Sequence, residues 1–181
     1  MKFISLIALT ACAALAGCGE AEQNNAAAPS ANNQSEAAAP APGATKATAA
    51  QSANAAESIR ARQSHYKKIG AAMKGINDEL KKVAPSTPAI QAHAATIHQF
   101  APQVQGWFPD GSGSDAGVKT EARAEIWSDP EGFKKRTAAF VSAAAAFNQI
   151  AQGGDLAAIR TGVKELGGTC KGCHEQFRVD D

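Results

Sequence analysis

Residues 155–178 read DLAAIRTGVKELGGTCKGCHEQFR. Leu156, Ile159, Val163, Leu166, Cys170, Cys173 and Phe177 step along this stretch by threes and fours, the spacing of one helical face. Asp155 is placed to cap the first turn, and Gly153-Gly154 stops whatever precedes it. The stretch is therefore predicted to be an amphipathic helix with two thiols on its apolar side. Gly167-Gly168 lies within it and weakens it by roughly 1 kcal/mol per Gly. Either something bulky approaches there, or the helix tolerates the loss. Only Glu175 to Asp181 follow His174, and they contain neither Met nor His.

Three further stripes lie upstream. After Ile59, the residues Tyr66, Ile69, Met73, Ile76, Leu80 and Val83 step by threes and fours, and Pro85 is expected to end that helix. Ser86-Thr87-Pro88 opens the next, along Ile90, Ala94, Ile97, Ala101 and Val104, with Pro102 as a kink or end. Ser128-Asp129-Pro130 opens a third, along Phe133, Thr137, Phe140, Ala144, Phe147 and Ala151. Between them, residues 107–126 read as a long irregular connection around the turn signal Pro109-Asp110-Gly111-Ser112-Gly113. Four amphipathic helices make an all-α, antiparallel four-helix bundle. The first two and the last two are joined by short connections and should be antiparallel neighbours. The long middle connection permits a crossover.

The 181-residue chain has a formal net charge of +1, so its overall balance indicates neither a nucleic-acid partner nor a membrane-surface one. Its start, MKFISLIALTACAALAGC, has a basic residue, an apolar run and small residues before Cys18. The run is too short to span a bilayer and fits a signal-peptide core. Residues 1–17 resemble a bacterial lipoprotein signal that leaves Cys18 as the lipidated first residue; an ordinary secretory signal cut nearby is the alternative. Gly19 after Cys18 favours the outer membrane, facing the periplasm, so membrane contact would be through the lipid anchor only. Cys12 leaves with the signal. Residues 18–56 are Ala, Asn, Gln, Ser and Pro with almost no large apolar side chain, and read as a disordered tether whose alanine content could support transient helix. The bundle domain is assigned to residues 57–181.

Cys170-Lys171-Gly172-Cys173-His174 has the Cys-x-x-Cys-His spacing of a haem-attachment motif. Two thiols add to the two vinyl groups of one porphyrin edge, and the adjoining imidazole becomes the proximal iron ligand. Export agrees with this, because such attachment takes place outside the bacterial cytoplasm. A zinc site completed by His65, His93 or His98 is an alternative. So is a redox pair, though no strands are evident to frame one. A disulfide closing so short a loop would restrict the unfolded chain little.

A Cys-x-x-Cys-His motif on the last helix of a four-helix bundle resembles the cytochrome c′ family, the class II c-type cytochromes. Arg62-Gln63-Ser64, the run Glu125-Ile126-Trp127-Ser128-Asp129 with Phe133, and Arg178 four residues after His174 are similar to that family's pattern. The resemblance covers about residues 57 to 179; a lipid anchor is not a usual family feature. It implies covalent haem c, one per chain, on Cys170 and Cys173 with His174 on the iron. It also implies Tyr66 over the opposite side, with Arg62 and Arg178 as further cofactor-binding residues and a homodimer as the assembly. Met73 lies about 10.5 Å along the helix from Tyr66, too far to be a second ligand if Tyr66 faces the iron. His65 is turned about 100° from Tyr66, and a tyrosinate ligand is disfavoured by a pKa near 10. The expectation is high-spin, five-coordinate haem that binds small gases, NO and CO. The alternative is electron transfer to a periplasmic redox partner, with Lys67, Lys68, Lys74, Lys81, Lys82, Lys164 and Lys171 as a docking rim or merely a solvated face. An enzymatic role is not expected, since only Tyr66 offers acid–base chemistry opposite the imidazole.

Overall fold

The computed structural model describes residues 42–179. Its long helices are α1 (Pro42–Lys81), α2 (Thr87–Phe100), α4 (Pro130–Gly153) and α5 (Leu156–Phe177), with a one-turn α3 (Glu125–Ser128) ahead of α4. Two 3-10 segments, Ala101–Trp107 and Ser114–Ala116, lie in the crossover between α2 and α3. The closest packing joins α1 to α2 and α4 to α5, as the short connections require, and α2 lies against α4. Helices α1 and α5 have no comparably close backbone approach.

The helix ends follow the sequence signals. Ser86 caps α2 by accepting from the Ala89 N–H, and Asp129 caps α4 by accepting from Gly132 at 2.9 Å. Asp155 accepts from Ala157 and Ala158 at the start of α5, while Gly154 turns the chain with φ 75°. All six stripe residues of α4, from Phe133 to Ala151, are buried. Phe140, Ala144, Phe147 and Ala151 meet Ile69 and Ile76 of α1, Ile90 and Ile97 of α2, and Ile159 and Leu166 of α5 in one core. A second cluster of Ile126, Phe133 and Phe177 closes the end of the bundle where α5 stops, with Cys173 against it.

Two expectations change. Helix α1 begins at Pro42, so residues 42–56 of the supposed disordered tether are helical. Alanine loses least on entering a helix, proline suits a first turn, and Ala55 is already buried. Residues 1–17, Cys18 and the tether as far as residue 41 lie outside the described residues. At its other end α1 stops at Lys81, and Val83, expected on the apolar stripe, is fully exposed at 106%. Pro85 disfavours helical backbone at Ala84, and the Glu79 carboxylate accepts from the Ser86 N–H at 3.0 Å, folding the chain back across Pro85.

Candidate functional site

Helix α5 holds both thiols on its inner side, three residues apart. Cys170 and Cys173 are free and half-buried. Cys170 packs against the main core and Cys173 against the Ile126–Phe133–Phe177 cluster. Burial raises both thiol pKa values; for Cys173 the neighbouring Cys170 adds to this and Arg136 opposes it. Both sulfurs are therefore held protonated at neutral pH. Gly172, between them, admits the Arg136 guanidinium: a Cβ built there would stand 3.2 Å from its Nη1. Arg136 Nε in turn donates to Gln176 at 3.0 Å. A Cβ at Gly167 or Gly168 would meet no protein atom within 4 Å, so no bulky neighbour in the chain explains those glycines.

His174 follows on the next step of the helix and keeps solvent-exposed surface. What burial it has, and then Arg178, hold its pKa below the ordinary value, with Glu121 acting the other way. The neutral imidazole is favoured, which is the form that binds a metal. Arg178 ends the helix by donating its backbone N–H to the His174 carbonyl, and its Nε donates to Glu121 Oε2 at 2.7 Å. Around it the chain end pairs with the crossover: Ala122 and Arg178 form an antiparallel bridge, Arg123 N–H donates to Phe177 at 3.0 Å, and Val179 N–H to Glu121 at 2.8 Å. Arg178 thus stands beside the imidazole, clamped by a carboxylate that the sequence reading did not identify.

Tyr66 comes from α1. Burial pushes its ionisation far above the ordinary tyrosine value, with the charges of Cys173 and Cys170 adding to this and Arg62 opposing it. Tyr66 and Cys170 pack against the same core cluster. Trp107 stands edge-on to the Tyr66 ring at 5.3 Å and Phe108 lies 6.3 Å away. Met73 packs against the core. His65 lies between Phe100 and Trp107, His93 fits against Gly75 of α1, and His98 is exposed. Among the described residues no three His, Cys, Asp or Glu side chains converge to hold a metal ion, so no zinc set forms around the thiols.

Arg62 has a role that its sequence position does not announce. It is 3% exposed, one turn before Tyr66. Its Nη1 donates to Ser112 Oγ at 2.8 Å, and its Nη2 to Ser112 O and Thr120 Oγ1, both at 2.7 Å. Its guanidinium also lies 4.7 Å from the Phe108 ring centre. Arg62 staples α1 to the crossover, and burial lowers its pKa. None of these hydrogen bonds goes to a carboxylate. The signal available in the sequence was a charge in an apolar register, between Ile59 and Tyr66. Four of the seven rim lysines are ion-paired: Lys74 and Lys81 share Asp78, Lys82 pairs with Glu79, and Lys171 with Glu175. Trp127 donates its indole N–H to the Phe108 and Pro109 carbonyls at 3.3 Å, anchoring the crossover.

The donor set fits a covalently attached haem. Two neutral thiols and an adjacent neutral imidazole lie on one helix, an aromatic wall stands on the other, and a buried cation lies one turn along. Residues 57–178 match the model of a family described as Cytochrome C′. Over 120 residues the chain is 36% identical to the cytochrome c′ of Pararhodospirillum photometricum, covering 66% of this chain and 94% of that protein. The crystal structure of cytochrome c′ from Thermochromatium tepidum is similar with a TM-score of 0.66 and 25% identity, covering 70% of this chain and 97% of that one. A nitric oxide complex of a cytochrome c′ variant from Alcaligenes xylosoxidans is similar with a TM-score of 0.62 and 25% identity, covering 69% of this chain and 95% of that one.

Proposed function

The chain belongs to the cytochrome c′ family, whose proteins carry covalently bound haem c, and from that premise we propose a gas-binding c-type cytochrome with one open iron position. Cys170 and Cys173 would hold the haem through thioethers, and His174 would ligate its iron. When bound, haem would supply a ferrous iron able to take up NO or CO by back-donation. Tyr66 would restrict access to the open position. Its hydroxyl, kept protonated by burial, is a hydrogen-bond donor and not an anionic ligand. Arg62 offers a buried positive charge suited to a propionate, and Arg178 with Glu121 sets the charge beside the imidazole. No catalytic turnover is assigned.

The observation that carries this reading is Tyr66 packed against the same core as Cys170, its phenol kept protonated by burial, while His65 stacks on Phe100 and Trp107. The nitric oxide complex of the Alcaligenes xylosoxidans protein supports the choice of ligand. The absorption spectrum of the reduced protein is the test. A broad high-spin spectrum that changes on adding NO or CO is expected; a sharp low-spin α-band indifferent to both gases overturns it. That second outcome would favour the electron-carrier alternative, which the partly ion-paired lysine rim supports weakly.

The same reading takes the protein as a homodimer attached through lipidated Cys18 to the periplasmic side of the outer membrane. No helix among the described residues is long and apolar enough to cross a membrane. Mass spectrometry of the membrane-fraction protein should find an N-terminal peptide that begins at Cys18 and carries acyl chains. An unmodified Cys18, or an N-terminus elsewhere, would remove the anchor.

A further inference from the structure

We propose that Trp107 is a positioning residue for Tyr66 and thereby sets how fast a small gas reaches the iron; this rests on the gas-binding reading above. The Trp107 ring lies 5.3 Å from Tyr66 at 86° and 4.8 Å from His65 at 40°. His65 and Tyr66 are consecutive on α1, so their side chains leave the helix about 100° apart. One indole touching both sits in the notch between them. It closes one side of Tyr66, and Phe108, at 6.3 Å and 57°, lines another. Tyr66 itself packs against the same core cluster as Cys170. His65 contributes by stacking alone: its Nδ1 is buried and has no hydrogen-bond partner.

The backbone explains how Trp107 reaches that notch. Pro102 has no N–H, so the α-helical ladder of α2 cannot run on through it. The chain continues instead as a 3-10 helix over Ala101–Trp107. Residues three apart are eclipsed in that geometry, which aligns Ala101, Val104 and Trp107 on one side. The first two are buried, and the third follows them inward. In α geometry six residues turn the chain by about 600°, and Trp107 would point away from Ala101. Seven residues is long for a 3-10 run, and the run ends at the residue that meets Tyr66.

The experiment is a double-mutant cycle on the haem-loaded, reduced protein, read as the CO association rate after flash photolysis. Trp107→Leu should speed association by about two- to tenfold, the equivalent of losing one aromatic pair. In a Tyr66→Ala background the same change should have almost no effect, because the side chain it positions is gone. Trp107→Phe keeps a ring in the layer and should recover most of the original rate; it also serves if the leucine variant fails to fold. Equal acceleration in both backgrounds would overturn the inference, since Trp107 would then act on its own. Acceleration by Tyr66→Ala with none from either Trp107 variant would also overturn it, and leave the Tyr66 reading intact. No acceleration from Tyr66→Ala would instead strike the gas-access reading itself, and this inference with it.

Discussion

The two helices that flank the proposed haem space are built by different means. On α5, everything chemical lies within five consecutive residues, and the helix geometry alone puts two sulfurs and an imidazole in order. On the α1 side nothing is local. Arg62 reaches Ser112 across 50 residues of chain, and Tyr66 is bounded by Trp107 and Phe108 from the start of the crossover. The attachment side is specified by covalent neighbours, so it survives changes in packing. The opposite side exists only while the bundle is folded. What the haem is held by and what a ligand must pass are therefore open to different mutations.

The sharpest way to break this contrast is at the thiols. Cys173→Ala should abolish two-point attachment, read as loss of haem-dependent colour on a denaturing gel or an altered adduct by mass spectrometry, with the helical circular dichroism signal of any folded protein retained. Arg62→Ala should do the reverse. Haem stays attached, but stability falls by about 2–4 kcal/mol because Ser112 and Thr120 lose buried charged donors. A fall in the denaturant midpoint at unchanged slope would show it; a wild-type midpoint would end the staple argument.

Tyr66 gives a pH signature. Its phenol holds its proton more tightly when folded than when unfolded. The stability from this group is therefore complete below the unfolded pKa near 10, and is lost as pH rises from there toward the higher folded value. In the haem-loaded protein, where thioethers remove the thiols from the titration, stability should drop more steeply above about pH 10 than in Tyr66→Phe. Identical alkaline profiles would mean the phenol is not buried as described. The smallest effect belongs far from either wall. Asp155→Ala should cost about 1 kcal/mol by uncapping α5, with no change in the gas-binding spectrum.

The bundle was legible wherever the signal was periodic or punctuated. The α4 stripe, the caps Ser86, Asp129 and Asp155, and the stop at Gly154 all rest on local rules, and the structure follows them. Val83 failed because Glu79 captures the Ser86 N–H, a contact that no periodicity contains. The helical backbone from Pro42 goes further than the transient helix that alanine's preference suggested, because residues 42–56 continue a helix whose later turns are buried. At the site, Cys170, Cys173 and His174 could be read from spacing. The resemblance named Arg62 and Arg178, but not Ser112, Thr120 or Glu121, which hold them. Those partners sit in the crossover, where neither period nor motif marks a residue, and only the closed fold brings them to the guanidinium groups.

The antiparallel bridge at the end of α5 has a consequence for the order of synthesis. Glu121 precedes Arg178 by 57 positions, so the crossover leaves the ribosome well before the residues that will latch onto it. A chain cut short after Gln176 would keep both sulfurs and the imidazole while losing Phe177, Arg178 and Val179. Such a protein would retain the chemistry of haem capture and lack the clasp that holds the final helix shut.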